Sequence, residues 1–236
     1  MMPEEFAARL VAAPGLPLVS VILYGSAAAG DHAGKRSDYN VMVVLERAGA
    51  AELDAMAPAV RPWVRAGNRA PQVFTREGLE RSADVFPIEL ADMKDHHRVL
   101  HGSDVLAPVE IAPAALRLEL ERELKVNLMR LQEGCLLAAG RASQVAALMR
   151  ESVATFGVLA RAALRLFGGA APAGKRQAIE ALVAHIRFEP DSFLRVLDAK
   201  ASGSRIPSSE IPALFARYLA AAEALADGID RQIAGG

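Results

Sequence analysis

The sequence predicts an α+β chain, a small mixed β-sheet in the first half and an all-α antiparallel helical bundle in the second. Two observations carry this. Before residue 110, short β-rich runs alternate with helical ones over short connections, and after it leucines recur at helical spacing almost without interruption. A third sets the scale: 236 residues at 52% hydrophobic content suffice for one large core or two modest ones, and two domains are expected. The expected domains are residues 1–108 and 109–236.

Taken in order, MMPEEFAARL places acids where a secretory leader would be basic, and no apolar run reaches the roughly 18 residues of a spanning helix. A cytoplasmic chain with no membrane partner is expected. LPLVSVILYG (16–25), DYNVMVVLE (38–46), PQVF (71–74) and VFPIELADM (85–93) read as strands, and AAELDAMAPAVRPWVRAG reads as a helix. In the second half Leu116, Leu120, Leu124, Leu128 and Leu131 define one apolar helix face, and ASQVAALMRESVATFGVLARAALRLFGG continues the pattern. GGAAPAG (168–174) and SGSRIPSSE (202–210) break the later helices, and Ser208 or Ser209 with Glu210 offers a cap for the last one.

A net charge of −1 gives no general field for a nucleic-acid backbone, so a polyanion must be gripped locally. Cys135 is the only cysteine, which excludes an internal disulfide and a multi-cysteine zinc site. Its apolar neighbours predict a buried, inert thiol. Lys125, Arg130, Arg150 and Arg161 read as solvent-facing charges of the bundle, and His185 as a partly buried helix residue. His96, His97 and His101 lack zinc-ligand spacing and read as a solvated helix start.

The chemistry concentrates in YGSAAAGDHAGKRSDYNV, residues 24–41. A strand ending at Tyr24 runs into Gly25-Ser26, where a residue without a side chain lets backbone amides approach a phosphate and a hydroxyl adds a donor. About a dozen residues on, Asp38 and Asn40 alternate on a second strand and so project to one face, with Val41, Val43 and Leu45 on the other. Ile88-Glu89-Leu90 repeats that logic on a later strand, so Glu89 is expected to meet Asp38 across the sheet. Asp38, Asn40 and Glu89 then outline a Mg²⁺ site beside a phosphate cradle.

This arrangement resembles the nucleotidyltransferase superfamily that includes DNA polymerase beta and the kanamycin nucleotidyltransferases. The shared pattern is a Gly-Ser turn, an Asp-x-Asp or Asp-x-Glu strand, and a third acid between apolar residues; here it reads Gly25-Ser26, Asp38-Tyr39-Asn40 and Glu89. The resemblance covers residues 15 to 105. It implies transfer of a nucleoside monophosphate from a nucleoside triphosphate to an unidentified acceptor, with Mg²⁺ held by the acids and the triphosphate at Gly25 and Ser26. Two departures stand out. Asn40 replaces an acid with a neutral amide, and losing one such preorganised group costs roughly 3 kcal/mol, about a hundredfold in rate. The arginine many members carry after Gly-Ser is absent, and Lys35 and Arg36 are the candidates to replace it as nucleotide-binding residues.

Three functions follow. One is a transferase whose activity is reduced or lost through Asn40, working in the cleft between sheet domain and bundle. The second is a degenerate module that binds a nucleotide or a partner protein without chemistry, in the manner of an antitoxin. The third is an interaction protein that forms a homodimer through its Leu- and Ala-rich bundle.

Overall fold

The computed structural model describes residues 1–25, 27–28, 39–169, 171–172 and 174–231. The chain divides into two compact units, one over Met1–Ala112 and one from Pro113 onward.

The first unit opens with helix α1 (Pro3–Val11), which has proline in its first turn and buries Phe6 and Leu10. Strands β1 (Leu18–Tyr24) and β2 (Asn40–Leu45) follow, then helix α2 (Ala50–Arg65), strand β3 (Gln72–Thr75), short helix α3 (Arg76–Arg81), helix α4 (Pro87–Asp95) and strand β4 (His97–Gly102). The four strands form one sheet in the order β3-β2-β1-β4. β1 pairs antiparallel with both β2 and β4, whereas β2 and β3 run parallel, so the sheet is mixed.

Both faces of this sheet are covered. Val21, Leu23, Val41, Val43 and Leu45 pack with Phe6, Leu10, Met56, Ala59 and Trp63 on the side of α1 and α2. Ile22, Met42 and Val44 pack on the opposite side with Leu79, Leu90, Met93, Leu106 and Val109. Two-sided burial explains why VMVV carries no polar alternation: a strand with helices on both faces is apolar throughout. Met42 and Val44 are therefore core residues as fully as the three alternating ones the sequence singled out.

The run at 85–93 is a correction. It forms α4, not a strand, with Pro87 at the helix start and Glu89 in the first turn, where a carboxylate complements the helix dipole. A short apolar run with one acid fits either period, and Ile88, Leu90, Ala91 and Met93 are buried in helical phase. The strand lies just beyond it: His97 and His101 sit on β4 and His96 caps α4, so the three histidines are not a solvated helix start.

β4 ends at Gly102, whose φ of +80° is one that glycine adopts without cost. A Cβ there would lie 1.9 Å from the Val19 carbonyl oxygen, so the close approach of β4 to β1 admits no side chain.

The second unit holds helices α5 (Pro113–Ala138), α6 (Ala142–Leu166), α7 (Lys175–Leu182), α8 (Asp191–Ser202) and α9 (Ile211–Arg231). Ala139 and Gly140 both adopt positive φ between α5 and α6, which stops the first helix and turns the chain back antiparallel. Leu116, Leu120, Leu124 and Leu131 are buried as their spacing predicts, and Leu128 is half-buried. Phe156, Phe193 and Tyr218 form a ring cluster with centroids 4.6–5.8 Å apart. Burial pushes the Tyr218 phenol up, and its oxygen shares a 2.9 Å hydrogen bond with Ser152 Oγ.

Several single-residue expectations change here. Cys135 is half-buried rather than buried. Arg161 is only 9% exposed, not solvent-facing. His185 is exposed in the turn after α7 and stacks on Phe167 at 4.6 Å. Glu210 is engaged in an ion pair with Arg195.

Substitution of Gly102 by Ala meets both the backbone conformation and the Val19 carbonyl. It is expected to destabilise the protein by about 3 kcal/mol, read as a lowered denaturation midpoint; an unchanged midpoint would show that β4 does not approach β1 this closely.

Candidate functional site

One end of the sheet gathers polar side chains on a single face. Tyr24 is paired with Asn40 on β2 and with His97 on β4, and directly paired strand residues point the same way. Tyr24 packs along the α3 and α4 side, so His97, Tyr24 and Asn40 form a row across three strands on that side. On β3, Gln72 is in parallel register with Met42, two residues beyond Asn40 and on the same face. Gln72 is exposed and ends the row with a second amide.

Gly25 turns the chain away at the end of this row, with φ +79°. A Cβ on it would stand 3.4 Å from Asn40 Nδ2, so the Asn40 amide lies directly over the glycine. Two of the described turn amides are committed. Gly25 N–H donates to the His96 carbonyl at 3.0 Å, and Ala28 N–H donates to the Gly25 carbonyl at 3.0 Å. The glycine thus opens space for a ligand beside Asn40, but its own amide is already used.

A tryptophan organises the flank. Trp63 stacks on Phe6 at 4.6 Å, lies 6.2 Å from Tyr39, and donates its indole N–H to the Arg69 carbonyl at 2.6 Å. Asn68 accepts from Tyr39 N–H at 3.4 Å and donates to the Trp63 carbonyl. The segment before β3 is thereby tied to the residue that precedes Asn40. Burial pushes the half-buried Tyr24 phenol up, and the Arg69 charge pulls it down.

At the other end of the row, His97 Nδ1 lies 2.9 Å from the Lys94 carbonyl and Nε2 lies 3.2 Å from Asp104 Oδ2. Asp104 also accepts from the amides of Leu106 and Ala107 at 3.0 and 3.1 Å. Burial raises the Asp104 carboxyl, but these amides and His97 together outweigh it and hold it below the ordinary value.

Of the residues singled out by sequence, Gly25 and Asn40 are brought together here. Asp38, Ser26, Lys35 and Arg36 lie outside the described residues. Glu89 does not take the expected place on a strand: it is exposed on α4, lining a groove of about 360 Å³ with Gln72, Val73, Phe74, Phe86, Leu90 and Met93. What the sequence reading missed is that β3 runs parallel beside β2. That pairing sets Gln72 next to the Asn40 face, a place that PQVF alone does not reveal.

Among the described residues, this end of the sheet offers a metal ion no carboxylate. Asn40 and Gln72 are neutral amides, and Mg²⁺ relies on carboxylates to offset its dehydration. Among the described residues no group of three His, Cys, Asp or Glu side chains is placed to hold a metal ion.

The mixed four-stranded sheet with flanking helices, followed by a helical unit, shares its fold with a solved adenyltransferase. The chain is similar to a solved spectinomycin adenyltransferase from Enterococcus faecialis, a structure with ATP and spectinomycin. The two share 13% identity and a TM-score of 0.53, over 92% of this chain and 99% of that one. No known family profile matches the sequence, and no curated protein is similar to it. Among the described residues no helix is long and apolar enough to cross a membrane.

The depressed Asp104 carboxyl gives a pH signature. Its contribution is fully present above the unfolded value near 3.9 and is lost as pH falls through the lower folded value. Asp104→Asn should cost about 1 kcal/mol at neutral pH, an amount limited by solvent exposure, and the gap to the parent should close as the pH falls through the lowered folded value. Denaturant titrations at several pH values measure it, and a gap that persists at the acid end would contradict the assignment.

Proposed function

We propose that the chain binds a nucleoside triphosphate at the Gly25–Asn40 end of its sheet and has lost most or all nucleotidyl transfer. The observation that carries this is the pair of amides. Asn40 lies over Gly25, and the neighbouring strand offers Gln72 on the same face. A transferase needs negative charge there to hold metal against a triphosphate, and two neutral side chains supply none. The fold and its glycine turn remain suited to a nucleotide, and the likeness to an adenyltransferase solved with ATP supports that ligand.

A second reading is supported by that likeness extending through both halves of the chain. Here the protein still transfers a nucleoside monophosphate to an acceptor, with Mg²⁺ as cofactor and Asp38 among its ligands. Asp38 would hold the ion and Asn40 would add one amide oxygen. Lys35 and Arg36 would meet the phosphates in either reading.

The two readings part on pyrophosphate release and on Mg²⁺. The parent should bind ATP by calorimetry and release no pyrophosphate above background, with a melting curve indifferent to Mg²⁺. Asn40→Asp places a second carboxylate beside Asp38, which repels it in metal-free buffer and lowers stability. Mg²⁺ at a hundred times its Kd should then return about 2.7 kcal/mol, because the ion binds only the folded arrangement. Steady pyrophosphate release by the parent would establish the second reading. An Asn40→Asp melt that ignores Mg²⁺ would mean that positions 38 and 40 do not converge.

A further inference from the structure

We infer that the helical unit carries a binding site of its own, a small apolar cavity that takes a carboxylate with a hydrophobic body and holds it on Arg117. The inference goes beyond the nucleotide reading above and does not depend on it.

The cavity has a volume of about 260 Å³ and is lined by Pro113, Ala114 and Arg117 of α5, by Leu166 and Phe167 where α6 ends, and by Ile229 of α9. Every lining residue but Arg117 is apolar. The Phe167 ring is held in its place by stacking on His185 at 4.6 Å, which keeps that wall standing.

Arg117 is half-buried, and its Nη1 is closed off from solvent with no hydrogen-bond partner among the described residues. A guanidinium nitrogen taken out of water without an acceptor costs free energy, and in folded proteins such a group calls for an acceptor from elsewhere. Its own helix supplies none. Of positions 113, 114, 120 and 121, which lie three and four residues away, only Glu121 carries a carboxylate, and it is bonded to Lys125 at 2.5 Å. Glu119 is bonded to Arg122. The first turn of α5 holds no acid either, so the positive end of the helix adds to the Arg117 charge instead of being offset.

Charge and lining together define the ligand. A guanidinium fork presents paired N–H donors that match a carboxylate and a charge that does not titrate. Walls of hydrocarbon reward an apolar body and penalise further charge, which excludes a polyphosphate. A cavity of about 260 Å³ falls just under the range of drug-sized pockets, so an arylalkanoate or short aliphatic acid of roughly ten non-hydrogen atoms fits it.

Calorimetry and melting curves with benzoate, phenylacetate, 3-phenylpropionate and hexanoate test this on the parent, Arg117→Gln, Arg117→Leu, Ala114→Phe and the control Arg130→Gln, which removes an exposed charge from the same helix. At least one of the four acids should bind the parent and raise its melting temperature. Acetate, which lacks the body, and the amide of the best-bound acid, which lacks the charge, should do neither. Arg117→Gln should weaken binding by roughly ten- to a hundredfold, the value of a charge-assisted hydrogen bond. Ala114→Phe, which fills the cavity and leaves the arginine in place, should abolish it, and Arg130→Gln should bind like the parent. Without ligand, Arg117→Leu should melt at or above the parent, because it removes an unpaired buried donor. A parent that binds none of the four acids would sink the site, and equal affinity for acid and amide would remove the charge from it. Parental affinity in Arg117→Gln, or an Arg117→Leu protein that melts well below the parent, would overturn the role given to Arg117.

Discussion

The pairing of Tyr24 with Asn40 at the end of β1 and β2 is the constraint on which the site depends. It follows from a register fixed along the whole ribbon, because a slip of one residue would turn Val41, Val43 and Leu45 from one core to the other. With helices packed on both faces, such a slip would exchange two differently shaped sets of side chains. The polar end of the sheet therefore inherits its geometry from the apolar middle. Asn40 sits over Gly25 because five consecutive residues after it are fully committed to burial.

That commitment also separates what defines the fold from what stands at the polar end of the sheet. The sheet, its covering helices and the glycine turn suffice to define the fold, and none of them needs a carboxylate. The polar end of the sheet holds an amide at Asn40, an amide at Gln72, and a turn in which the amides of Gly25 and Ala28 are bonded to backbone carbonyls.

Much of this was legible in the sequence, unevenly. β1, β2 and α2 follow from composition and period, and the leucine face of α5 is buried where the spacing puts it. Glu89 misled because IEL between apolar neighbours satisfies both a strand and a helix, and Pro87, an excellent first helical residue, is what decides it. The placement of Gln72 and of the segment before it was invisible for another reason. It comes from β3 lying parallel beside β2 and from the indole bond that fixes the segment before it, and no local pattern encodes either. Arg161 shows the same limit in the bundle, where a charge at a helical position gives no hint that it is buried.

Trp63 is the chain's only tryptophan, and its indole is bonded to the carbonyl of the residue that borders the site while its ring rests on Phe6. A single buried chromophore so attached makes the protein its own spectroscopic probe. Any movement of the segment before β3 alters the hydrogen bond to the indole, and with it the colour and yield of emission excited at the red edge of the absorption band. Unlabelled protein can thus report events at this end of the sheet, free of signal from elsewhere in the fold.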